Sequence, residues 1–177
     1  MFRKLVSVEE AKQILAQSFT PKPVGKEHVS LSKAHNRILA IDMTSPLNVP
    51  PFDRSTVDGY AVKSADTFGA DEDKPIALKL CGQVNVGETP KVKVQKGTAA
   101  HIVTGAPMPE GADSVVMVEY TVQKNEHIMV QSSVSKGENV MKAGSDIRED
   151  ETILRRGTVL SPHEIGVLAA LGLERVE

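Results

Sequence analysis

The chain has 177 residues, enough for one large domain or two small ones. Its 21 lysines and arginines against 23 aspartates and glutamates leave a formal charge of -2, which argues against a nucleic-acid binder working through a bulk positive field. A composition 40% hydrophobic and 25% charged excludes a disordered chain, and the single Cys81 excludes a disulfide framework or a multi-cysteine metal site.

The start, Met1 to Lys4, is basic and is followed by no apolar run. It does not read as a signal peptide, so the expected location is cytoplasmic, with no membrane span. Ser7 and Glu10 form a capping-box signature, with Val6 placed as a staple and Ala11, Ile14 and Leu15 at helical spacing. Pro21, Pro23 and Gly25 stop that helix by about residue 19. A short strand is expected over 27–31, a helical turn over 32–36 and a strand or extended segment over 37–42. The run Ser45-Pro46-Leu47-Asn48-Val49-Pro50-Pro51-Phe52 fits neither a helix nor a central strand. It reads as a linker or arm and gives the first candidate domain boundary.

Short strands punctuated by glycines follow. The expected strands are 59–63 (as an edge), 76–80, 92–94, 101–104, 114–119 and 127–130, forming a small twisted sheet or barrel. With no Trp, 2 Tyr and 4 Phe, the core must be aliphatic, and aromatic platforms for single-stranded nucleic acid are not expected. After Gly137 come 151–154, a turn at Arg155-Arg156-Gly157, and 158–160. Ser161, Pro162 and Glu164 then mark a second helix, with Ile165, Leu168 and Ala169 as its apolar stripe and Gly172 as its stop. The last residues read as the start of a strand, so the chain is expected to be the N-terminal part of a longer protein.

Three loops concentrate chemistry. Residues 50–62, PPFDRSTVDGYAV, place Asp53, Arg54, Ser55 and Asp58 within six positions. Such carboxylates can hold Mg2+ alongside substrate phosphates, and Arg54 can face an oxyanion. The same residue types also build ordinary turns. Thr104 and Gly105, in a Gly/Pro loop over 104–113, offer a hydroxyl and close backbone approach, or simply a stiff connection. Asp146 stands in the third loop, 137–147, as a ligand, an acid or a turn residue. The five histidines have no metal-ligand spacing and read as ordinary, and Cys81 reads as a small buried hydrophobe.

Four segments, PPFDRSTVDGYAV at 50–62, VTGAPMPEGADSVVMVE at 103–119, GENVMKAGSDI at 137–147 and SPHEIGVLAALGL at 161–173, together resemble the N-terminal half of the molybdopterin molybdenumtransferases. That family includes MoeA and the E domain of gephyrin and the plant Cnx proteins. The resemblance implies insertion of molybdate into adenylylated molybdopterin, with Mg2+-dependent cleavage of a phosphoanhydride and loss of AMP. It implies an elongated homodimer whose active site lies between the third domain of one subunit and the second domain of the other, with molybdopterin adenylyltransferase as a further partner. Asp58, Thr104 and Asp146 match residues of that site as catalytic candidates, Asp58 also as a metal ligand. Asp53, Arg54, Ser55 and Gly105 are the substrate-binding candidates. Arg54 and Val57 stand where many members carry Asn and Met, and Ser145 where many carry Glu. The pterin-binding third domain is not within these residues, so this chain alone is expected to be inactive. Gephyrin's receptor-binding role makes a non-catalytic scaffold or partner-binding module the alternative.

The expected fold is mainly β with an α+β lobe: a β-rich twisted-sheet or barrel domain inserted into a small mixed lobe. The helix and linker would occupy 1–26, the mixed lobe 27–48 plus 144–177, and the β-rich domain 49–143.

Overall fold

The structure, a computed structural model, describes residues 5–22 and 25–177. Residues 1–4 and Pro23, used above for the leader and the helix stop, lie outside the described residues. The chain divides into two compact units, Met1–Ile41 with Gly157–Glu177, and Asp42–Arg156.

In the first unit, α1 spans Val8–Ser18 and opens on the expected capping box. The Glu10 N–H donates to Ser7 Oγ (3.2 Å), and the Ser7 N–H donates to Glu10 Oε2 (2.9 Å). No residue of α1 is buried. Strand β1 (Val29–Ser30) precedes a short 3-10 turn at Leu31–Lys33. The stretch 37–42, expected as a strand or extended segment, is extended with one bridge, Ile38 with Val159. Backbone bonds from Asn36 and Leu39 to Leu160 and Thr158 hold it extended.

In the second unit, two short ladders flank one large sheet. Strand β2 (Met43–Thr44) pairs with a segment late in the unit, and β3 (Arg54–Ser55) with another. The large sheet takes β4 (Gly59–Val62), β5 (Ile76–Val84), β6 (Thr98–Ile102), β7 (Ser114–Met117), β8 (Thr121–Lys124) and β9 (His127–Val130), in the order β7-β4-β6-β5-β9-β8. Only β5 and β6 run parallel within it. Strand β10 (Val140–Met141) is the antiparallel partner of β3, and β11 (Thr152–Leu154) that of β2.

Back in the first unit, α2 (Pro162–Ala170) repeats the capping box with Ser161 and Glu164, and β12 (Arg175–Val176) pairs with β1. Ala34, Leu39, Leu160, Leu168, Leu171 and Val176 are buried and form its apolar interior.

Strand β4 lies inside the sheet rather than at its edge. Residues 92–94 form no strand of the sheet but a single bridge, Lys93 with Glu110, and β6 begins earlier than the expected 101. The unit edges at 42 and 156 fall outside the expected 49 and 143, because β2–β11 and the Val49–Ile147 bridge bind those flanks to the second unit.

The large sheet is curled. Its first and last strands, β7 and β8, are joined through only Val118–Tyr120. That connection reaches at most about 14 Å, whereas six flat strands would separate the two edges by about 24 Å. The sheet must therefore bend back on itself.

Each face carries its own core. Tyr60, Val62, Leu78, Ala99, Val116, Ile128 and Val130 pack together on the inner face. Ala61, Val84, Val94, Ala100, Ile102, Ala106 and Val115 pack on the outer one. Leu78 and Val84 are an even number of residues apart yet face opposite ways. A bulge between Leu80 and Gly82 explains this, since it places Cys81 as an extra residue in β5. Gly82 has φ +145, and a Cβ there would lie 2.5 Å from Val92 Cγ1. Cys81 is accordingly exposed, not buried, and its Sγ reaches the Ala99 carbonyl at 3.3 Å. Among the described residues, no helix is long and apolar enough to cross a membrane.

Two stability predictions follow from local geometry. A Cβ on Gly59 would lie 2.0 Å from the Val116 carbonyl oxygen, so Gly59→Ala is expected to cost about 1–3 kcal/mol in urea unfolding. In α2, hydrogen bonds from the Ser161 hydroxyl first, and then from backbone N–H groups, hold Glu164 at about 2 against an ordinary 4.5. A depressed acid stabilises the fold above its unfolded pKa and loses that contribution as pH falls through the folded one. The stability gap between the wild type and Glu164→Gln should therefore be full at neutral pH and shrink from about 4.5 down to about 2. A gap independent of pH across that interval would refute this.

Candidate functional site

The first two sequence clusters are laced together by backbone. The Gly105 N–H donates to the Ser55 carbonyl (2.8 Å), the Ser55 N–H to the Ala106 carbonyl (3.0 Å), and the Met108 N–H to the Asp53 carbonyl (2.8 Å). Arg54 and Pro107 face each other as a bridge. Gly105 makes the turn possible with φ +84. On the other side, β3 pairs with β10, Arg54 opposite Met141 and Ser55 opposite Val140. The loop over 53–58 is thus clamped between segments about fifty and about ninety residues further along the chain.

This clamp brings Asp58 to Thr104. Asp58 Oδ1 accepts from the Thr104 N–H at 2.7 Å and from Thr104 Oγ1 at 2.8 Å. The Asp58 carbonyl accepts from the Val118 N–H at 3.1 Å. Both side chains are exposed. The Thr104 N–H and then its hydroxyl hold the Asp58 carboxyl below its ordinary 3.8, and the nearby His101 adds to the effect. Asp58 is therefore a fixed anion at neutral pH, with Oδ2 unbonded among the described residues. Both Thr104 donors are directed at Asp58, so Thr104 acts on the site by orienting that carboxylate.

The other candidates separate into distinct roles. Asp53 Oδ2 accepts from Lys142 Nζ (2.6 Å) and Oδ1 from the Ala143 N–H (2.9 Å). These contacts, the Lys142 hydrogen bond foremost, lower its pKa. Arg54 Nη2 reaches Met141 Sδ at 3.2 Å. Ser55 is 1% exposed, and its hydroxyl closes a turn by donating to the Val57 carbonyl and accepting from the Val57 N–H. It shapes the loop and does not face solvent. Asp146 is exposed, and its N–H donates to the Val49 carbonyl at 2.9 Å. Among the described residues, no hydrogen bond joins its side chain to Asp58 or Thr104.

Two contributors escaped sequence reasoning. Lys142 sits inside the GENVMKAGSDI segment, but nothing local shows that it pairs with Asp53, 89 residues away. His101 read as ordinary because its neighbours, Tyr60 of β4 and Asp58 just before that strand, lie about forty residues earlier in the chain.

Among the described residues, no three His, Cys, Asp or Glu side chains are grouped to hold a metal ion. A protein-caged metal has no donor set here. A Mg2+ bound mainly by substrate phosphates and water needs only one or two carboxylates, and Asp58 Oδ2 fits that requirement.

Residues 6–172 match the family model for the MoeA N-terminal region, domains I and II. The chain belongs to this family. The MoeA N-terminal region seen here is 33% identical over 170 residues to the molybdopterin molybdenumtransferase of Synechococcus elongatus, covering 96% of this chain and 42% of that protein. Against the Haemophilus influenzae molybdopterin molybdenumtransferase the figures are 31% over 174 residues, 98% and 42%. The crystal structure of the molybdopterin biosynthesis moeA protein from Pyrococcus horikoshii OT3 superposes with a TM-score of 0.89 at 38% identity, covering 98% of this chain and 45% of that one. The chain thus spans less than half the length of these relatives.

Thr104→Val keeps the backbone N–H and removes the hydroxyl. The Asp58 carboxyl is then expected to titrate higher than in the wild type, yet still below 3.8, in a carboxyl-carbon NMR titration. An unmoved midpoint would show that the hydroxyl contributes nothing.

Proposed function

We propose that this MoeA N-terminal region forms one wall of the active site of a molybdopterin molybdenumtransferase. In that reading the complete protein inserts molybdate into adenylylated molybdopterin, cleaving the phosphoanhydride so that AMP leaves. The observation that supports this most directly is the Asp58–Thr104 pair, an exposed carboxylate kept anionic and aimed by two hydrogen bonds. The names of the relatives supply the substrate class.

Asp58 is the group that meets the substrate's charged end. Its second oxygen is the one available to a Mg2+ carried on the phosphates, and when bound that ion offsets negative charge developing on the phosphoanhydride oxygens. Thr104 is a positioning residue that fixes the carboxylate before substrate arrives. Gly105 lets the substrate approach the backbone of that loop. Asp53 and Lys142 brace the loop from behind, with Arg54 beside them, while Asp146 shapes the turn next to Val49. The pterin cradle and the facing wall come from the C-terminal part of the complete protein and from a second copy, as a homodimer. Molybdopterin adenylyltransferase is the partner that would deliver the adenylylated substrate.

In the complete protein, Asp58→Ala is expected to lower AMP release by about a hundred-fold or more, with the dimer intact by light scattering. Thr104→Val should cost less, about ten-fold, because the backbone donor remains. Normal turnover in Asp58→Ala would reject this reading.

A further inference from the structure

The inner face of the curled sheet is not apolar throughout. Gln83 of β5 stands opposite His101 of β6, and His101 opposite Tyr60 of β4, in one cross-strand row. Gln123 of β8 pairs with the inward-facing Ile128. These four side chains, with Leu80 and Gly82, line a cavity of about 400 Å³. That volume is within the range of small-molecule sites, and the mouths of curled and closed sheets are common places for them.

Three features distinguish this cavity from a gap in packing. First, Tyr60 is 5% exposed and lines the cavity, yet its hydroxyl has no hydrogen-bond partner among the described residues. Among the described residues no buried side-chain oxygen is left unsatisfied, so that hydroxyl is reached by solvent. Second, the half-buried His101 ring sits edge-on to Tyr60 at 5.5 Å, and the exposed Gln83 carboxamide beside it is held by no other side chain among the described residues, so both are open to a ligand from solvent. Third, Gln83 faces inward only because the Cys81–Gly82 bulge reverses the alternation of β5. Had Cys81 taken its own place in the ladder, alternation would have turned Gln83 to the outer face and Val84 to the inner one. Bulges that re-aim a side chain in this way are characteristic of sites.

The lining also defines a ligand chemistry. It holds no carboxylate, lysine or arginine, so no permanently charged side chain lines it. Two carboxamides, a phenol and an imidazole offer hydrogen-bonding groups. Carboxamides read a planar edge that carries one donor beside one acceptor, as they do on nucleobases. The Tyr60 and His101 rings offer aromatic surface for a flat partner. We propose that this cavity binds an uncharged planar heterocycle, about the size of one nucleobase, through the Tyr60–His101–Gln83 row and Gln123. The proposal rests on these inner-face residues alone, so its failure would leave the reading of Asp58 and Thr104 untouched.

The test is an NMR titration of the 177-residue chain with hypoxanthine as the probe, with inorganic phosphate and benzene as controls. The expected result is saturable shifts of the Gln83 and Gln123 side-chain amides and of the Tyr60 and His101 ring signals, with neither control reproducing them. Gln123→Leu, on an exposed strand, and Tyr60→Phe, which conserves volume in the core, should each weaken binding about ten-fold, the loss of one hydrogen bond. Absence of saturable shifts up to the solubility limit would overturn the proposal. So would benzene binding equally well, phosphate moving the same signals more strongly, or both variants binding like the wild type.

Discussion

The second unit depends on one short strand. All four residues of β4 are buried, and β6 and β7 pair with it on either side. Tyr60 and Val62 belong to the inner core and Ala61 to the outer one. The approach to β7 is so close that only glycine fits at position 59. Asp58 is the residue immediately before this strand, and its carbonyl is tied to Val118 just past the end of β7. Its backbone is therefore anchored by the most buried part of the sheet, while its side chain remains in solvent. A carboxylate placed in this way avoids the cost of burial and keeps a fixed direction.

Thr104 completes that arrangement from the other neighbour of β4. It leaves β6 two residues after Ile102, and Ile102 stands opposite Gly59. The register that pairs Gly59 with Ile102 is thus what brings the Thr104 donors to Asp58. A slip of one residue would exchange the faces of β6 and separate the pair. The backbone bonds between 53–55 and 105–108 reinforce the same register from outside the sheet.

What the amino-acid order discloses unaided is local. Both capping boxes, Ser7 with Glu10 and Ser161 with Glu164, are complete within four residues, and the helices begin where those residues predict. The strand expected at 127–130 forms with those bounds, and the one expected at 114–119 stops at Met117, where Val118–Tyr120 turns as a 3-10 helix. The ladders β2–β11 and β3–β10 are two or three residues wide and join segments about 110 and about 86 residues apart, so no local period marks them. Strand β8, Thr-Val-Gln-Lys, is polar because it lies at a sheet edge with most of its residues exposed. Cys81 follows an apolar strand and therefore looks buried; only the bulge explains its exposure. At the site, the chemistry of each loop taken singly leaves turn and ligand readings open. The joint resemblance of four segments selected Asp58 and Thr104, whereas the bonds between them come from the sheet register.

The same strand also explains why polar groups line the inner face. An inward Tyr60 can be accommodated because its ring packs with Val62, Val116 and the other aliphatic residues of the inner core while its hydroxyl is reached by solvent. Its cross-strand neighbour His101 is electrostatically felt by Asp58. Of the Tyr60–His101–Gln83 row only Tyr60 is buried, while His101 is half-buried and Gln83 exposed. Water satisfies the Gln83 carboxamide, so the polar end of the row costs the fold little. The bulge in β5 thus sets a solvated carboxamide beside the Tyr60–His101 edge contact, at the margin of the inner core rather than within it.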